Sequence, residues 1–301
     1  MANEFDEHYL KSVTALGDAS KVVTSQAIFA TNGMKLVDSG VVFNSNFYER
    51  LIRHKLLPPI DQCLAVENGV TKDQLRDYAK NLLDEDHSPC FDGFRSEPDT
   101  CEKMLRAIQS VTLNAPMTFK LTVARDQRNE IFDHSVRLAL ISLYLAIKNG
   151  LSDRELVNIA SASLFHDLGL LHVDPSLLAT GHKLEKHERH HLYTHPVTAY
   201  LILREYPEYH PEVSTPVYEH HERLDGSGYP NHLKGEDMLL EAKILAVADV
   251  IEAMAAHRPY RPALGIDKAL EEISKNRGKL DDPDVVYTCL GLFNSGRFEF
   301  K

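Results

Sequence analysis

The sequence predicts a mainly α-helical protein with a small α+β region at its N-terminal end. From residue 117 onward, apolar residues recur at the i, i+3 and i+4 spacing of amphipathic helices. Before residue 117, β-branched runs alternate with turn signals and short helical patterns. The chain has 301 residues, of which 43% are hydrophobic and 26% charged, so it contains enough apolar side chains for a full core.

The first third of the chain contains a predicted β-hairpin followed by predicted helices. Asn32-Gly33 lies between two β-branched runs of residues 21–43, and this dipeptide is typical of a two-residue hairpin turn. A short helix is expected in NFYERLIRHKL, where a double proline stops it. Thr71 is expected to cap the helix KDQLRDYAKNLL. The broken stretch DEDHSPCFDGF is expected to be loop, and a helix returns at EKMLRAIQSV.

A domain boundary is expected near Pro116, where the helical pattern is interrupted. We predict a small α+β regulatory or dimerisation domain at residues 1–116, through which a second copy or a signalling protein would bind. Residues 117–301 are predicted to form an all-α domain. Its helical patterns are IFDHSVRLALISLYLAIKNG, ELVNIASASLFHD, HPVTAYLILREY, EAKILAVADVIEAMAAH and KALEEISKNRG. A capping box, SDRE from Ser152 to Glu155, begins the second of them.

Charge and cysteine usage exclude several classes of protein. The formal net charge of -11 argues against binding to DNA or to anionic lipid. No apolar run reaches the length of a transmembrane helix, so no membrane span is expected. The four cysteines form no CxxC pair, which argues against a zinc–thiolate site and a disulfide framework. A cytoplasmic location is therefore predicted.

Imidazole and carboxylate side chains recur along the predicted helices in a pattern that indicates a metal site. Each has an ordinary structural explanation when taken alone, such as a His–Asp hydrogen bond, a solvated charge or an internal ion pair. Their joint occurrence is harder to explain in that way, because buried charges need partners. Without thiolates, such a set suits Fe²⁺ or Mn²⁺, and zinc or nickel would also fit. The candidate ligands are Glu130, His134, His166, Asp167, His195, His220, His221 and Asp249.

The stretch HHERLDGSGYP places a tight loop directly after two of these histidines. Gly226 and Gly228 allow positive φ angles and close backbone approach. Tyr229 fits two roles equally well, stacking on a substrate base or packing to hold the loop. Arg258 and Arg261, further along the chain, are candidates for phosphate contacts, with structural ion pairing as the alternative.

Between about Thr122 and Lys301 the chain contains, in this order, the motifs EIFDHS, LFHDLG, THP, HHERLDGSGYP, ADVIEAM, RPYRPA and LDDPDVV. In these motifs and their order it resembles the HD-GYP family of cyclic dinucleotide phosphodiesterases, a branch of the HD phosphohydrolases. It implies an all-helical HD-GYP domain that binds two or three divalent metals, most often Fe²⁺ or Mn²⁺. The implied ligands are His134, His166, Asp167 and Asp249 for one metal, Asp167, His195, His220 and His221 for a second, and Glu130 for a third.

The resemblance also implies an activity in bacterial signal transduction. A hydroxide held between the metals, with His166 and Asp167 at the reaction centre, would open cyclic di-GMP to the linear dinucleotide and then to GMP. The substrate contacts would come from Gly228, Tyr229, Arg258 and Arg261.

One position departs from the family pattern and leaves two alternatives open. The family reads HD-x-G-K, with a lysine that reaches the substrate phosphate, whereas this chain has Leu170. Leucine provides neither charge nor hydrogen bond. The alternatives are therefore the same chemistry on another cyclic dinucleotide, such as cyclic GMP-AMP, and a weakly active or non-catalytic module that binds a cyclic dinucleotide or a partner.

Overall fold

The computed structural model describes residues 4–178, 183–255 and 266–293. Helices dominate these ranges, and short strands occur only in their N-terminal part, so the predicted fold class is confirmed. The strands are β1 (Val22–Thr24), β2 (Ile28–Phe29), β3 (Lys35–Val37), β4 (Val42–Phe43) and β5 (Leu64–Val66).

The helices of the described ranges vary from single turns to 20 residues. They are α1 (Glu4–Ala19), α2 (Tyr48–Leu51), α3 (Ile60–Cys63), α4 (Lys72–Glu85), α5 (Pro89–Arg95), α6 (Pro98–Gln109), α7 (Ala115–Gln127), α8 (Asn129–Lys148), α9 (Asp153–Phe165), α10 (Pro175–Leu178), α11 (Lys186–Leu192), α12 (His195–Arg204), α13 (Pro211–Glu219), α14 (Leu240–Ala255), α15 (Ile266–Asn276) and α16 (Pro283–Phe293). Two 3₁₀ segments cover Ser45–Phe47 and Leu168–His172.

The chain divides into two compact units, each assembled from separate stretches. The first unit comprises Met1–Thr71, Leu113–Asp133 and Asp167–His195, and the second comprises Lys72–Thr112, His134–His166 and Pro196–Lys301. The expected division into residues 1–116 and 117–301 stays a prediction.

In the first unit, two small antiparallel sheets pack with helices. β1 pairs with β4 on one side and β5 on the other, while β2 and β3 form the hairpin predicted at Asn32-Gly33. Gly33 has a φ of 84°, a left-handed conformation that favours glycine, in the connection between Phe29 and Lys35. Helix α1 packs against α7 and the 3₁₀ segment Leu168–His172. The apolar face that it buries consists of Tyr9, Leu10, Val13 and Leu16.

In the second unit, helices pack around a core of aliphatic side chains. Helix α9 lies between α6 and α13, and α14 contacts α13, α15 and α16. The predicted capping box begins α9, because the Ser152 side chain accepts from the Glu155 N–H and the Glu155 carboxylate accepts from the Ser152 N–H. This packing sets the positions of two candidate ligands, His166 at the C-terminal cap of α9 and Asp249 on α14. Among the described residues, no helix combines the length and apolarity that crossing a membrane requires.

Three local predictions were wrong or incomplete. Helix α1 was not predicted, although its buried residues recur at helical spacing. The expected loop DEDHSPCFDGF contains helix α5, whose first turn accommodates Pro89. Pro116 does not interrupt a helix but lies in the first turn of α7, where the Asn114 side chain accepts from the Met117 N–H.

Candidate metal centre

The histidine of the HD dipeptide lies at the C-terminal end of α9. His166 is 1% exposed, and its Nδ1 lies 2.8 Å from the carbonyl oxygen of Ser163. Because a carbonyl oxygen can only accept, Nδ1 must carry the proton. The Nε2 of a neutral His166 then bears a lone pair, which is the state in which imidazole binds a metal.

Two further candidate ligands are oriented in the same way. His195 Nδ1 lies 2.7 Å from the Leu192 carbonyl oxygen. His220 Nδ1 lies 2.6 Å from the Val217 carbonyl oxygen. Each backbone acceptor is three residues upstream of its histidine, so the local turn selects the tautomer. Three imidazoles are thus prepared to present Nε2 as a metal ligand.

In the first unit, a glycine allows Asp167 and His195 to come together. A Cβ on Gly169 would lie 2.1 Å from the carbonyl oxygen of His195, so no other residue fits without displacing the backbone. With glycine at this position, Asp167 Oδ1 and His195 Nε2 are 3.3 Å apart. The glycine of the HD-x-G motif therefore has a direct packing role in the site.

In the second unit, Asp249 on α14 lies between two histidines. Its carboxylate oxygens are 3.4 Å from His134 Nε2 and 3.9 Å from His221 Nδ1. Burial alone raises the pKa of Asp249, but the hydrogen bond and charge of His134, with the charges of His221 and His166, hold the pKa well below its usual range. Asp249 is therefore an anionic oxygen donor at neutral pH.

Glu252 is a residue of this site that the sequence analysis missed. It is 4% exposed, and its carboxylate accepts from Nδ1 of His134. Glu252 thus engages Nδ1 of His134, as backbone carbonyls engage Nδ1 of the other three histidines. The Nε2 atom of His134 is left 3.4 Å from the Asp249 carboxylate. One sequence signal could have found it, because Glu252 follows Asp249 by three residues and therefore shares its helix face.

The candidate ligands are grouped into two clusters. The rings of His134 and His166 have centroids 5.2 Å apart, and those of His166 and His220 are 5.0 Å apart. Within each cluster, the potential ligand atoms lie within 4.8 Å of one another. The clusters are His134, His166 and Asp167, and His195, His220 and His221. They are subsets of the two predicted ligand sets, and the role of each residue as a ligand stays a prediction.

Glu130, the candidate ligand for a third metal, has a different environment. Its carboxylate accepts from Nε of Arg128 at 2.6 Å, and its side chain is 50% exposed. Among the described residues it belongs to neither cluster. Its proposed metal role stays a prediction.

The loop after the double histidine is held by Glu222, which is fully buried. The two carboxylate oxygens of Glu222 accept from the N–H groups of Asn231 at 2.6 Å and Leu233 at 3.0 Å. A Cβ on Gly228 would lie 2.4 Å from the Cα of Glu222, so the glycine permits the close approach expected of it. The double histidine therefore precedes a loop that is fastened to the chain directly after it.

The predicted substrate contacts have unequal structural support. Tyr229 stacks on His221, with ring centroids 4.8 Å apart and an interplanar angle of 29°. This contact accounts for the tyrosine as a packing residue and leaves a role toward substrate as a prediction. Arg258 and Arg261 lie outside the described residues.

The chemistry of the donor set fits a transition metal. The clusters offer imidazole nitrogens and carboxylate oxygens, which suit Fe²⁺, Mn²⁺, Zn²⁺ and Ni²⁺. Metal-binding histidines commonly donate their other ring N–H to a carbonyl or carboxylate oxygen, and the Nδ1 hydrogen bonds of these imidazoles are of that kind.

The chain belongs to the HD domain family, whose model matches residues 119–285, more than half of the sequence. HD domain phosphohydrolases are metal-dependent enzymes. The resemblance to the HD-GYP branch of the HD phosphohydrolases, which the sequence motifs indicated, is therefore confirmed.

Similar proteins include several named phosphodiesterases. The chain is 38% identical over 155 residues to the cyclic di-GMP phosphodiesterase response regulator RpfG of Xanthomonas campestris pv. campestris, a match that covers 51% of this chain and 41% of that protein. It is 33% identical over 151 residues to 3'3'-cGAMP-specific phosphodiesterase 3 of Vibrio cholerae, covering 50% and 33%. It is 31% identical over 171 residues to a cyclic di-GMP phosphodiesterase of Thermotoga maritima, covering 54% and 45%. The chain thus spans less than half the length of these relatives.

Proposed function

We propose that the protein is a metal-dependent phosphodiesterase that hydrolyses cyclic di-GMP to the linear dinucleotide and onward to GMP. The observation that carries the proposal is the shared orientation of His166, His195 and His220, whose Nδ1 atoms all donate to backbone carbonyls. Such an arrangement supports metal binding, because it leaves Nε2 of each histidine as a potential ligand. The names of relatives that act on cyclic di-GMP support the substrate.

Two divalent metals would be held by the predicted ligand sets, with Asp167 shared between them. When bound, such metals supply Lewis acidity toward the phosphodiester and lower the pKa of an attacking water. Fe²⁺ and Mn²⁺ are the proposed metals, because the donors include carboxylate and imidazole and no thiolate. A third metal would use Glu130.

The residues of the chain contribute orientation and charge. Backbone carbonyls keep the proton on Nδ1 of three histidines, and Glu252 does so for His134. Asp249 contributes a carboxylate beside His134 and His221. The loop fastened by Glu222 positions Tyr229 beside His221, where the substrate would approach.

A second substrate, 3'3'-cyclic GMP-AMP, is favoured by two observations. One similar protein is named as specific for it. Leu170 also removes the lysine that the HD-GYP pattern places near the phosphate, which would change how substrate is held. The non-catalytic module remains the third hypothesis, and the cytoplasmic location and the regulatory or dimerising role of residues 1–116 stay predictions.

Hydrolysis assays on a panel of cyclic dinucleotides separate these hypotheses. The protein would be purified without oxygen, its metal content measured, and Fe²⁺ or Mn²⁺ added before product analysis by chromatography. Cyclic di-GMP turnover supports the main proposal, and preference for cyclic GMP-AMP supports the second. Binding without turnover supports the non-catalytic module. Absence of both binding and turnover contradicts both enzyme hypotheses and leaves only a module that binds a partner.

A further inference from the structure

Leu170 lies close in the chain to the carboxylate proposed to bridge the metals. It belongs to the 3₁₀ segment Leu168–His172 and is 7% exposed. Its N–H donates to the carbonyl oxygen of Asp167 at 2.9 Å, so one tight turn separates the two residues. The backbone at position 170 is therefore well placed near the site, but its side chain provides no charge.

A buried arginine contacts this backbone. Arg128 follows α7 as its C-terminal cap and is 5% exposed. Its Nη1 donates to the Leu170 carbonyl oxygen at 3.4 Å, and its Nε donates to Glu130 at 2.6 Å. Both contacts lie within the first unit, as does Asp167.

One edge of the Arg128 guanidinium is not used by the protein. Its Nη2 is buried and has no hydrogen-bond partner among the residues that the structure describes. An unsatisfied buried donor is unfavourable, and more so when it is part of a charged group. Glu130 is half exposed and engages only the Nε side. The remaining edge therefore still has a hydrogen-bond donor to offer to an anion that reaches it.

We infer that Arg128 supplies the cation that the chain lacks at position 170, and that its Nη2 edge contacts a phosphate oxygen of the cyclic dinucleotide. The inference rests on the proposed function. A guanidinium suits this role, since its planar fork pairs with phosphate oxygens in a fixed geometry. Glu130 then has a role besides the proposed third metal, because its carboxylate orients the fork through Nε.

The first test compares Arg128→Gln with the wild type in metal content, cyclic di-GMP and 3'3'-cyclic GMP-AMP binding, and kcat/KM. The expected result is a loss on the order of a hundredfold in kcat/KM with unchanged metal content. Arg125→Gln is the matched control. Arg125 lies on α7, one turn before Arg128, and its guanidinium forms an ion pair with the neighbouring Asp126. It should retain wild-type kinetics.

The second test distinguishes a substrate contact from a structural role. Leu170→Lys should recover much of the rate lost in Arg128→Gln, while raising the wild-type rate far less, because one cation replaces the other. Arg128→Lys, which keeps the charge and loses the fork, should lose about tenfold or less. If Arg128→Gln does not fold, the same comparison is made in the Arg128→Lys background.

Three results would overturn the inference. These are wild-type kinetics in Arg128→Gln, a loss accompanied by loss of metal, and an equal effect of Leu170→Lys in both backgrounds. Wild-type protein that neither binds nor hydrolyses a cyclic dinucleotide would overturn the proposed function as well. The two failures are therefore distinguishable, since only the second involves the wild type.

Discussion

The protein buries charge in two different ways. In the first unit, Lys120 Nζ and Asp61 Oδ1 form an ion pair at 3.2 Å, with both side chains 4% exposed. The Lys120 ammonium also lies 4.4 Å from the centre of the Tyr9 ring. In the second unit, the Asp249 carboxylate lies beside the imidazoles of His134 and His221.

The difference lies in which atoms remain able to bind a ligand. An ammonium group has only donors, and Asp61 meets it directly, so this pair neutralises itself. An imidazole whose Nδ1 donates to another acceptor, as that of His134 does to Glu252, keeps a lone pair on Nε2. Buried charge therefore does not by itself indicate a functional site. The hydrogen bonds around the charge determine whether metal-binding atoms are available.

The largest expected effect is the loss of metal and activity when a proposed metal ligand is removed. Asp167→Ala should lose bound metal and all hydrolysis while its helical circular dichroism survives, because Asp167 is proposed to touch both metals. Metal analysis and product chromatography check the result. An active, metal-loaded Asp167→Ala variant would remove the basis for the proposed centre.

Breaking the buried ion pair between Lys120 and Asp61 should reduce stability without affecting metal binding. Lys120→Met leaves Asp61 as an uncompensated buried charge, so the free energy of unfolding should fall by about 3–5 kcal/mol, with metal content per folded protein unchanged. Denaturant titration measures the loss. Adding Asp61→Leu should restore much of the stability, and loss of metal in Lys120→Met would contradict the distinction.

Asp281 is a buried carboxylate whose charged neighbours are Arg223 and Glu272. Burial raises the pKa of Asp281 to about 6, since Arg223 at 3.6 Å offsets only part of the desolvation and Glu272 adds repulsion. The folded state therefore binds the Asp281 proton more tightly than the unfolded state. This side chain destabilises the fold above pH 6, and the penalty disappears as the pH falls toward the unfolded pKa.

Asp281→Asn isolates that contribution from those of the histidines. As the pH falls from about 6 to 4, the wild type should gain about 2 kcal/mol relative to Asp281→Asn in unfolding free energy. Denaturant titrations of both proteins across this range measure the difference. A constant difference would show that the Asp281 pKa is not raised.

The smallest expected effect concerns Glu252, which orients His134 without belonging to either predicted ligand set. Glu252→Ala should weaken metal affinity by about 10- to 100-fold, as loss of such a supporting partner commonly does. Competition with a metal chelator measures the affinity. Glu252→Gln keeps an acceptor oxygen for Nδ1 and should lose less. Equal affinities for all three proteins would show that the contact has no orienting role.

Local sequence was sufficient for many elements of the fold. The Asn32-Gly33 hairpin and the capping box of α9 depend on residues close in the chain, so their patterns predicted them. The helical period likewise predicted α8, α9, α12, α14 and α15. Helix α5 was missed because polar and turn-forming residues hid a short helix whose core partners include the distant α16.

By itself, the sequence determined the candidate ligand types and the family. The side-chain identities specify the possible ligand atoms, and the motifs and their order identify the family. Only the tertiary structure decided how those side chains are used. His134 is oriented by Glu252, 118 residues away, and Arg128 reaches the carbonyl of Leu170, 42 residues away. Neither spacing follows a helical or strand period, so no local pattern could predict these contacts. They exist because packing brings distant parts of the chain together, and most polar groups that become buried then need a hydrogen-bond partner.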